Sequence, residues 1–140
     1  MSEAKNINPD GGLRNNLESQ VGPAIAKIFD LNPKSTQEKL ENFPKYIRRQ
    51  KVTRYLALYE LFKLAQPVKG SIVECGVNQG FGLMSWANFS AVLEPNNLTR
   101  RIYGFDTFSG FVGSSKQDHS AAYTPKQGDL AADSDRKSVV

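Results

Sequence analysis

Two acidic residues stand where two short, apolar, β-branched segments end. Glu74 precedes a glycine-rich run that begins at Gly76, and Asp106 follows residues 101–105. In open α/β sheets, ligands bind outside the carboxyl ends of the strands. Glycine lets a ligand approach the backbone closely, and the helix that follows presents free N–H groups. The pattern predicts a nucleotide-type cofactor site at this edge of the sheet.

Each acid suggests a specific contact with such a cofactor. Glu74 can accept hydrogen bonds from an amine or a hydroxyl, and Asp106 can accept from both hydroxyls of a ribose. Gly80 lets the first loop turn into the next helix. Residues 107–111 follow Asp106, and we expect their backbone and aromatic rings to frame an adenine.

The elements that position these acids can be predicted from periodicity. Residues 44–66 favour an amphipathic helix with Pro44 in its first turn, because their apolar residues recur at helical spacing. The residues of this stripe are Val52, Tyr55, Leu56, Tyr59 and Phe62. Residues 71–75 indicate a strand buried on both faces, residues 80–93 a helix, and residues 101–106 a second, parallel strand. Together they form a βαβ unit.

The rest of the chain is less strongly patterned. Residues 1–34 are predicted to be a flexible or weakly helical arm, with a short helix from Val21 to Leu31. Ser35 and Glu38 have capping-box spacing, which indicates another short helix. Residues 35–140 are interpreted as the N-terminal portion of a cofactor-binding α/β domain that ends with a polar loop and a helix over residues 135–140. Two strands fall short of the five or six of a doubly wound sheet, so we expect a fragment of a longer protein.

The motifs around the two acids resemble those of a known family. Residues 72–77 (Ile-Val-Glu-Cys-Gly-Val) and 103–111 (Tyr-Gly-Phe-Asp-Thr-Phe-Ser-Gly-Phe) are similar to the two cofactor loops of the macrocin O-methyltransferase (TylF/MycF) family. The resemblance extends over roughly Pro44 to Gly110. It implies an incomplete Rossmann-like class I methyltransferase fold, made of N-terminal helices plus the first βαβ unit. It also implies an S-adenosylmethionine-dependent O-methyltransferase acting on a sugar or natural-product hydroxyl.

The resemblance assigns the predicted cofactor-binding residues to the two loops and to the lead-in helix. Those predicted at the methionine and ribose end, together with the loop around them, are Glu74, Cys75, Gly76, Val77, Asn78 and Gly80. Those predicted at the ribose and adenine end are Asp106, Thr107, Phe108, Ser109 and Gly110. Tyr46 and Ile47 are predicted to close over the cofactor. The sequence departs from the family at Ser109, where Glu is common, and at residues 111–113.

No catalytic or metal-binding residue can be assigned in this chain. The family uses an acidic Mg²⁺ site later in its sequence, and the ligands of that site are not recognisable here. Asp129, Asp133 and Asp135 lie in a polar region and are interpreted as solvated or capping residues. His119, the only histidine, is interpreted as solvent-exposed. If the chain ends at Val140, we expect no methyl transfer.

Two other interpretations remain open from the residues alone. The glycines follow the order G-x-x-x-G-x-G, whereas a dinucleotide fingerprint requires G-x-G-x-x-G and an acid about 20 residues later. A nicotinamide-dependent oxidoreductase fragment that uses the same βαβ edge is therefore the less favoured alternative. A non-catalytic product of a truncated gene is the other.

Composition limits the partners and the compartment. The 39% hydrophobic and 23% charged content is typical of a globular protein. The net charge of +4 comes from scattered basic residues, which favours a small-molecule substrate over nucleic acid and leaves a homo-oligomer open. No signal peptide and no apolar run of about 20 residues is found, so a cytoplasmic protein without a membrane partner is expected. Cys75, the only cysteine, is predicted to be a small buried hydrophobe.

Overall fold

The computed structural model describes residues 16–113, 115–118 and 124–132. Its helices and strands in chain order are α1 (Asn16–Leu31), α2 (Thr36–Glu41), α3 (Arg49–Ala65), β1 (Ile72–Cys75), α4 (Phe81–Leu93) and β2 (Ile102–Phe105). Single 3₁₀ turns occur at Phe43–Lys45 and Lys116–Asp118. The helix expected over residues 135–140, Asp133, Asp135 and His119 lie outside the described residues. None of the described helices is long and apolar enough to cross a membrane.

The chain divides into two compact units, with the boundary between Val52 and Thr53. In the first unit, the capping box at α2 is formed as predicted. The Ser35 hydroxyl accepts a hydrogen bond from the Glu38 backbone N–H at 3.2 Å, and the Glu38 carboxylate accepts one from the Ser35 N–H at 3.0 Å. These bonds satisfy N–H groups that the first turn of a helix leaves without partners.

Helix α3 begins later than its periodicity predicts. Pro44 lies in the 3₁₀ turn, and the α-helix starts at Arg49. Tyr46 ends the 3₁₀ turn with φ −119° and ψ 7°, away from α-helical values, and its ring packs edge-on against Phe29 with centroids 5.0 Å apart. A tertiary contact therefore overrides the local preference for helix over residues 44–48.

In the second unit, β1 and β2 pair in parallel, and Ile72 aligns with Ile102 and Cys75 with Phe105. This confirms the α/β fold and the βαβ order. Burial alternates along β1, so that Ile72 and Glu74 are part-buried while Val73 and Cys75 are exposed. Among the described residues, only one face of the sheet is covered. The expectation of a strand buried on both faces is therefore not met there.

An aromatic cluster forms the core between α3 and α4. Phe62 and Phe89 are buried, and Phe89 has Tyr55, Tyr59 and Trp86 around it with ring centroids 4.7–6.3 Å away. The predicted stripe of α3 is correct at Tyr55, Tyr59 and Phe62. It is wrong at the other two positions, since Val52 is 37% exposed and Leu56 is 56% exposed.

Arg100 links the parts of this unit that lie before the two strands. Its guanidinium forms two hydrogen bonds with the Glu94 carboxylate, at 2.6 and 3.0 Å, and both side chains are buried. It also donates to the carbonyls of Gln66, Val68 and Gly70. One charged side chain thus ties the end of α3, the start of β1 and the end of α4 together.

Candidate cofactor site

The loop after β1 has the backbone geometry that its glycines predict. Gly76 and Gly80 both have φ of +80°, and Asn78 has φ of +50°. Side chains with a Cβ rarely adopt such angles, although Asn does so more readily than most residues. The Gly80 N–H donates to the Val77 carbonyl at 2.9 Å, which closes the turn into α4. Helix α4 begins at Phe81, just beyond this turn.

Asp106 connects this loop to the loop after β2. Its Oδ2 accepts a hydrogen bond from the Asn78 backbone N–H at 2.6 Å, and its Oδ1 accepts one from the Phe108 N–H at 2.7 Å. These bonds, the one from Asn78 first, lower the pKa of the Asp106 carboxyl below its usual value. The side chain is therefore ionised at neutral pH, and it holds both loops in place.

The second loop is supported by a segment that sequence reasoning did not connect with it. The Phe111 N–H donates to the Asp129 carbonyl at 3.0 Å, and the Gly128 N–H donates to the Phe111 carbonyl at 2.9 Å. At Gly110, φ is +76°, and an added Cβ would overlap the Asp129 carbonyl oxygen. Glycine is required there both for the backbone angle and for close approach of the two segments.

The two loops and this segment line an open cavity of about 520 Å³ at the carboxyl ends of the strands. Five predicted site residues line it: Gly76, Asn78, Asp106, Thr107 and Gly110. Phe105, Phe111 and Leu130 complete its apolar wall. Leu130 was missed, because it lies in a polar stretch and only the turn-forming Gly128 nearby gives any sequence signal of its position.

Glu74 lies between β1 and α4 and is not among the residues that line this cavity. Its carboxyl group lies directly against Gly82, where an added Cβ would be 2.7 Å from the Glu74 Cδ. Burial raises the pKa of the Glu74 carboxyl, although Arg54 and a hydrogen bond with the Trp86 side chain oppose this rise. Its Oε2 is solvent-excluded and has no hydrogen-bond partner among the described residues. A contact of Glu74 with the methionine end of a cofactor stays a prediction.

The other predicted site residues fall into three groups. Val77, Gly80, Phe108 and Ser109 belong to the two loops, but they do not line the cavity. Cys75 is exposed, so its interpretation as a buried hydrophobe is wrong; strand alternation directs it away from α4. Tyr46 and Ile47 belong to the N-terminal unit, where they line a separate cavity. Their closure over a cofactor stays a prediction.

The described residues contain no group of three His, Cys, Asp or Glu side chains that could hold a metal ion. Asp129, which the sequence analysis interprets as a solvated or capping residue, has a local role. Its Oδ2 accepts a hydrogen bond from the Lys126 backbone N–H at 2.8 Å, which is the capping arrangement of a turn.

Two solved structures that match this fold are of a methyltransferase. The crystal structure of CalS11, a calicheamicin methyltransferase, matches with a TM-score of 0.78 and 33% sequence identity, over 86% of this chain and 47% of that chain. The apo structure of CalS11, described as a TDP-rhamnose 3'-O-methyltransferase in calicheamicin biosynthesis, matches with a TM-score of 0.67 and 35% identity, over 69% of this chain and 42% of that one. No protein-family model matches the sequence, and no curated protein matches it.

The resemblance to class I S-adenosylmethionine-dependent methyltransferases is thereby confirmed. CalS11 is of the same class I kind as the macrocin O-methyltransferases. The fold described here matches part of a Rossmann-like methyltransferase fold. This chain spans less than half the length of the solved chains that it matches.

Proposed function

We propose that this chain carries the cofactor-binding part of an S-adenosylmethionine-dependent O-methyltransferase that acts on a sugar or natural-product hydroxyl. The observation that carries the proposal is the cavity at the two strand ends, whose two loops are joined through the Asp106 carboxylate. The solved neighbours supply the class of reaction, since they are sugar O-methyltransferases. An acceptor carried on a nucleoside diphosphate, such as TDP-rhamnose, belongs to this class.

The residues around the cavity fit the cofactor. Each Asp106 oxygen already accepts one backbone N–H, but an ionised carboxylate has about four acceptor positions. Asp106 can therefore hold the loops and still accept from the two ribose hydroxyls. A Cβ at Gly76 would meet none of the described protein atoms within 4 Å, so the backbone there is open to a ligand. Phe105, Phe111 and Leu130 offer an apolar wall for the adenine.

S-adenosylmethionine supplies the methyl group as a sulfonium when it is bound. The part of this chain that is described binds and orients, which is the main contribution that a displacement at a sulfonium carbon needs from the protein. The proposal keeps Glu74 at the methionine end on the family resemblance alone, because its carboxyl lies against Gly82 and it does not line the cavity. The proposal does not include a Mg²⁺ ion bound by the described residues.

Calorimetry with S-adenosylhomocysteine and with NAD tests this proposal. S-adenosylhomocysteine should bind to the chain, and Asp106→Ala should lower its affinity about tenfold or more, since two hydrogen bonds to a charged group are lost. Glu41→Ala, which removes one acid from the N-terminal unit, is the matched control and should bind as the wild type does. Circular dichroism establishes that each variant is folded.

Two outcomes contradict the proposal. Binding of NAD without binding of S-adenosylhomocysteine would favour the oxidoreductase alternative. Unchanged affinity in folded Asp106→Ala would show that the ribose does not bind at this carboxylate.

A further inference from the structure

Helix α1, in the N-terminal unit, carries an apolar stripe that the described residues leave exposed. The spacing along the stripe alternates between four and three residues, and its members are Leu17, Val21, Ala24, Ile28 and Leu31. The four larger side chains are 41–78% exposed, and Ala24 is exposed as well. Single exposed apolar residues are common on protein surfaces, but a continuous row of them along one helix marks an interaction surface.

The stripe lies on a different face of α1 from the one that packs within its own unit. Gly22 and Ile25 line a cavity together with Phe29 and Tyr46, and they lie roughly a third of a turn around the helix from the stripe. Phe29 packs edge-on against Tyr46, and the Asn32 side-chain amide donates to the Tyr46 hydroxyl at 2.7 Å. The helix is thus formed and anchored on its other face, so pairing through the stripe carries no cost of ordering it.

The spacing and the residue types of the stripe fit a second helix of the same kind. A repeat of 3.5 residues is typical of a coiled coil, whereas a helix that covers a globular core has a wider apolar face. Val21 and Ile28 occupy the a positions of this repeat, and both are β-branched. Leu17, Ala24 and Leu31 occupy the d positions. β-Branched residues at a with leucine at d favour two parallel strands.

The positions beside the stripe are compatible with a parallel pair. The e and g positions within α1 are Glu18, Gln20, Ile25 and Lys27. In a parallel pair each g residue faces the next e residue of the other helix, so Gln20 faces Ile25 of the second copy. Lys27 likewise faces Asn32, and no like charges oppose each other. Pro23 falls at a c position, away from the contact between the helices.

We propose that α1 pairs in parallel with the α1 helix of a second copy of this chain, through this stripe. The stripe extends over about 21 Å of helix, at 1.5 Å per residue. Stable protein interfaces bury about 1,200 Å² or more, so a stripe this short gives a weak dimer that depends on concentration. The pairing does not depend on which cofactor the second unit binds, so either proposal can fail without the other.

Sedimentation equilibrium of the full chain, from micromolar to millimolar concentration, tests the pairing. The mass should rise from the 15.5 kDa of one chain toward twice that value. Ile28→Lys places a charge between the helices and should weaken association about tenfold or more. Leu40→Lys, at an exposed apolar residue of α2 in the same unit, is the matched control and should change association less than about threefold.

Two further variants test the pairing by a gain that an unfolded chain cannot give. Ala24→Leu should strengthen association about tenfold, because leucine fills the central d position between the helices. Leu31→Cys, in a Cys75→Ser background, should form a disulfide-linked dimer on oxidation. Identical positions near a helix end face each other only when the two helices are parallel and in register.

Three outcomes overturn the proposal. The first is that the wild type and Ala24→Leu both stay monomeric at millimolar concentration. The second is that Leu40→Lys weakens association as much as Ile28→Lys does, which would indicate non-specific association of apolar surfaces. The third is a dimer in which Leu31→Cys does not cross-link, which would contradict parallel pairing through this stripe.

Discussion

Glu74 and Asp106 are two acids near the ends of neighbouring parallel strands, and their surroundings are opposite. The Glu74 carboxyl lies against Gly82 of α4, and burial raises its pKa. The Asp106 carboxyl accepts two backbone N–H groups, which lower its pKa. One acid is thus placed between the strand and the helix, and the other holds together the loops that frame the cavity.

Register explains the difference between the two acids. Cys75 aligns with Phe105 as the last pair of the parallel ladder, so Glu74 is still within its strand while Asp106 has just left its own. Alternation along β1 directs Glu74 toward the face that α4 covers. An acidic residue therefore has a different task two positions further along the register of the parallel strands.

The largest effect expected is the loss of the contacts that Arg100 makes with the segments before the two strands. Arg100→Met would leave the Glu94 carboxylate buried without its partner and three carbonyls without a donor. We expect a loss of about 3–5 kcal/mol in the free energy of unfolding, measured by urea denaturation. Arg101→Met, at the exposed neighbouring position, is the control and should cost less than about 0.5 kcal/mol. Similar losses in both variants would show that the Arg100 contacts contribute little.

The second prediction concerns the close approach of Glu74 to α4. Gly82→Ala places a Cβ against the Glu74 carboxyl, and we expect a loss of about 1–3 kcal/mol in the free energy of unfolding. In a Glu74→Ala background the overlap is gone. The same change should then be neutral or stabilising by up to about 1 kcal/mol, because Ala favours a helix more than Gly does.

A double-mutant cycle in denaturant measures this coupling. Additive effects of the two changes would show that Glu74 does not contact Gly82.

The third prediction uses the lowered pKa of Asp106. The stabilisation of the folded chain by ionised Asp106 is fully present above the unfolded-state pKa of about 3.9. It is lost as the pH falls through the folded-state pKa. Asp106→Asn should cost about 1 kcal/mol at pH 7, since charged hydrogen bonds become neutral ones. The difference from the wild type should shrink below about pH 4. A difference that stays constant from pH 7 to pH 2.5 in urea denaturation would contradict this role.

The smallest effect is expected at Glu74, where removing the negative charge should stabilise the chain rather than destabilise it. Because the folded-state pKa is raised, protonated Glu74 favours the folded state below the unfolded-state pKa of about 4.3. That benefit is lost as the pH rises through the folded-state pKa. Glu74→Gln should therefore stabilise the chain at pH 7, by less than about 1 kcal/mol given its partial exposure, and should have no effect below pH 4.

Glu60→Gln, at an exposed acid paired with Lys63, is the control for this change and should show no such gain. Destabilisation by Glu74→Gln at pH 7 would mean that the ionised carboxylate is satisfied in the fold.

Local patterns in the sequence account for much of this fold and of the candidate site. The capping box at Ser35 and the positive φ angles of the glycines in the first loop are determined by residues close in sequence. Both features are present in the structure as predicted. The pairing of β1 with β2 follows from the βαβ pattern.

Features that depend on long-range contacts could not be predicted. In the sequence, Arg100 cannot be distinguished from the other basic residues, because its hydrogen-bond partners lie up to 34 positions away. Leu130 reaches the cavity only because the segment around Gly128 bonds to Phe111. The exposure of Cys75 depends on which face of the sheet is covered, and strand composition does not contain that information.

The central claim is that the cofactor binds between the two loops that Asp106 joins. Titration of the ¹⁵N-labelled chain with S-adenosylhomocysteine, followed by backbone amide NMR, tests it most directly. We predict the largest saturable shifts at the amides of Gly76, Asn78 and Phe108, because two of these amides bond to Asp106 and the third lines the cavity. Shifts confined to residues before Thr53, or no saturable shift at these three amides, would contradict the claim.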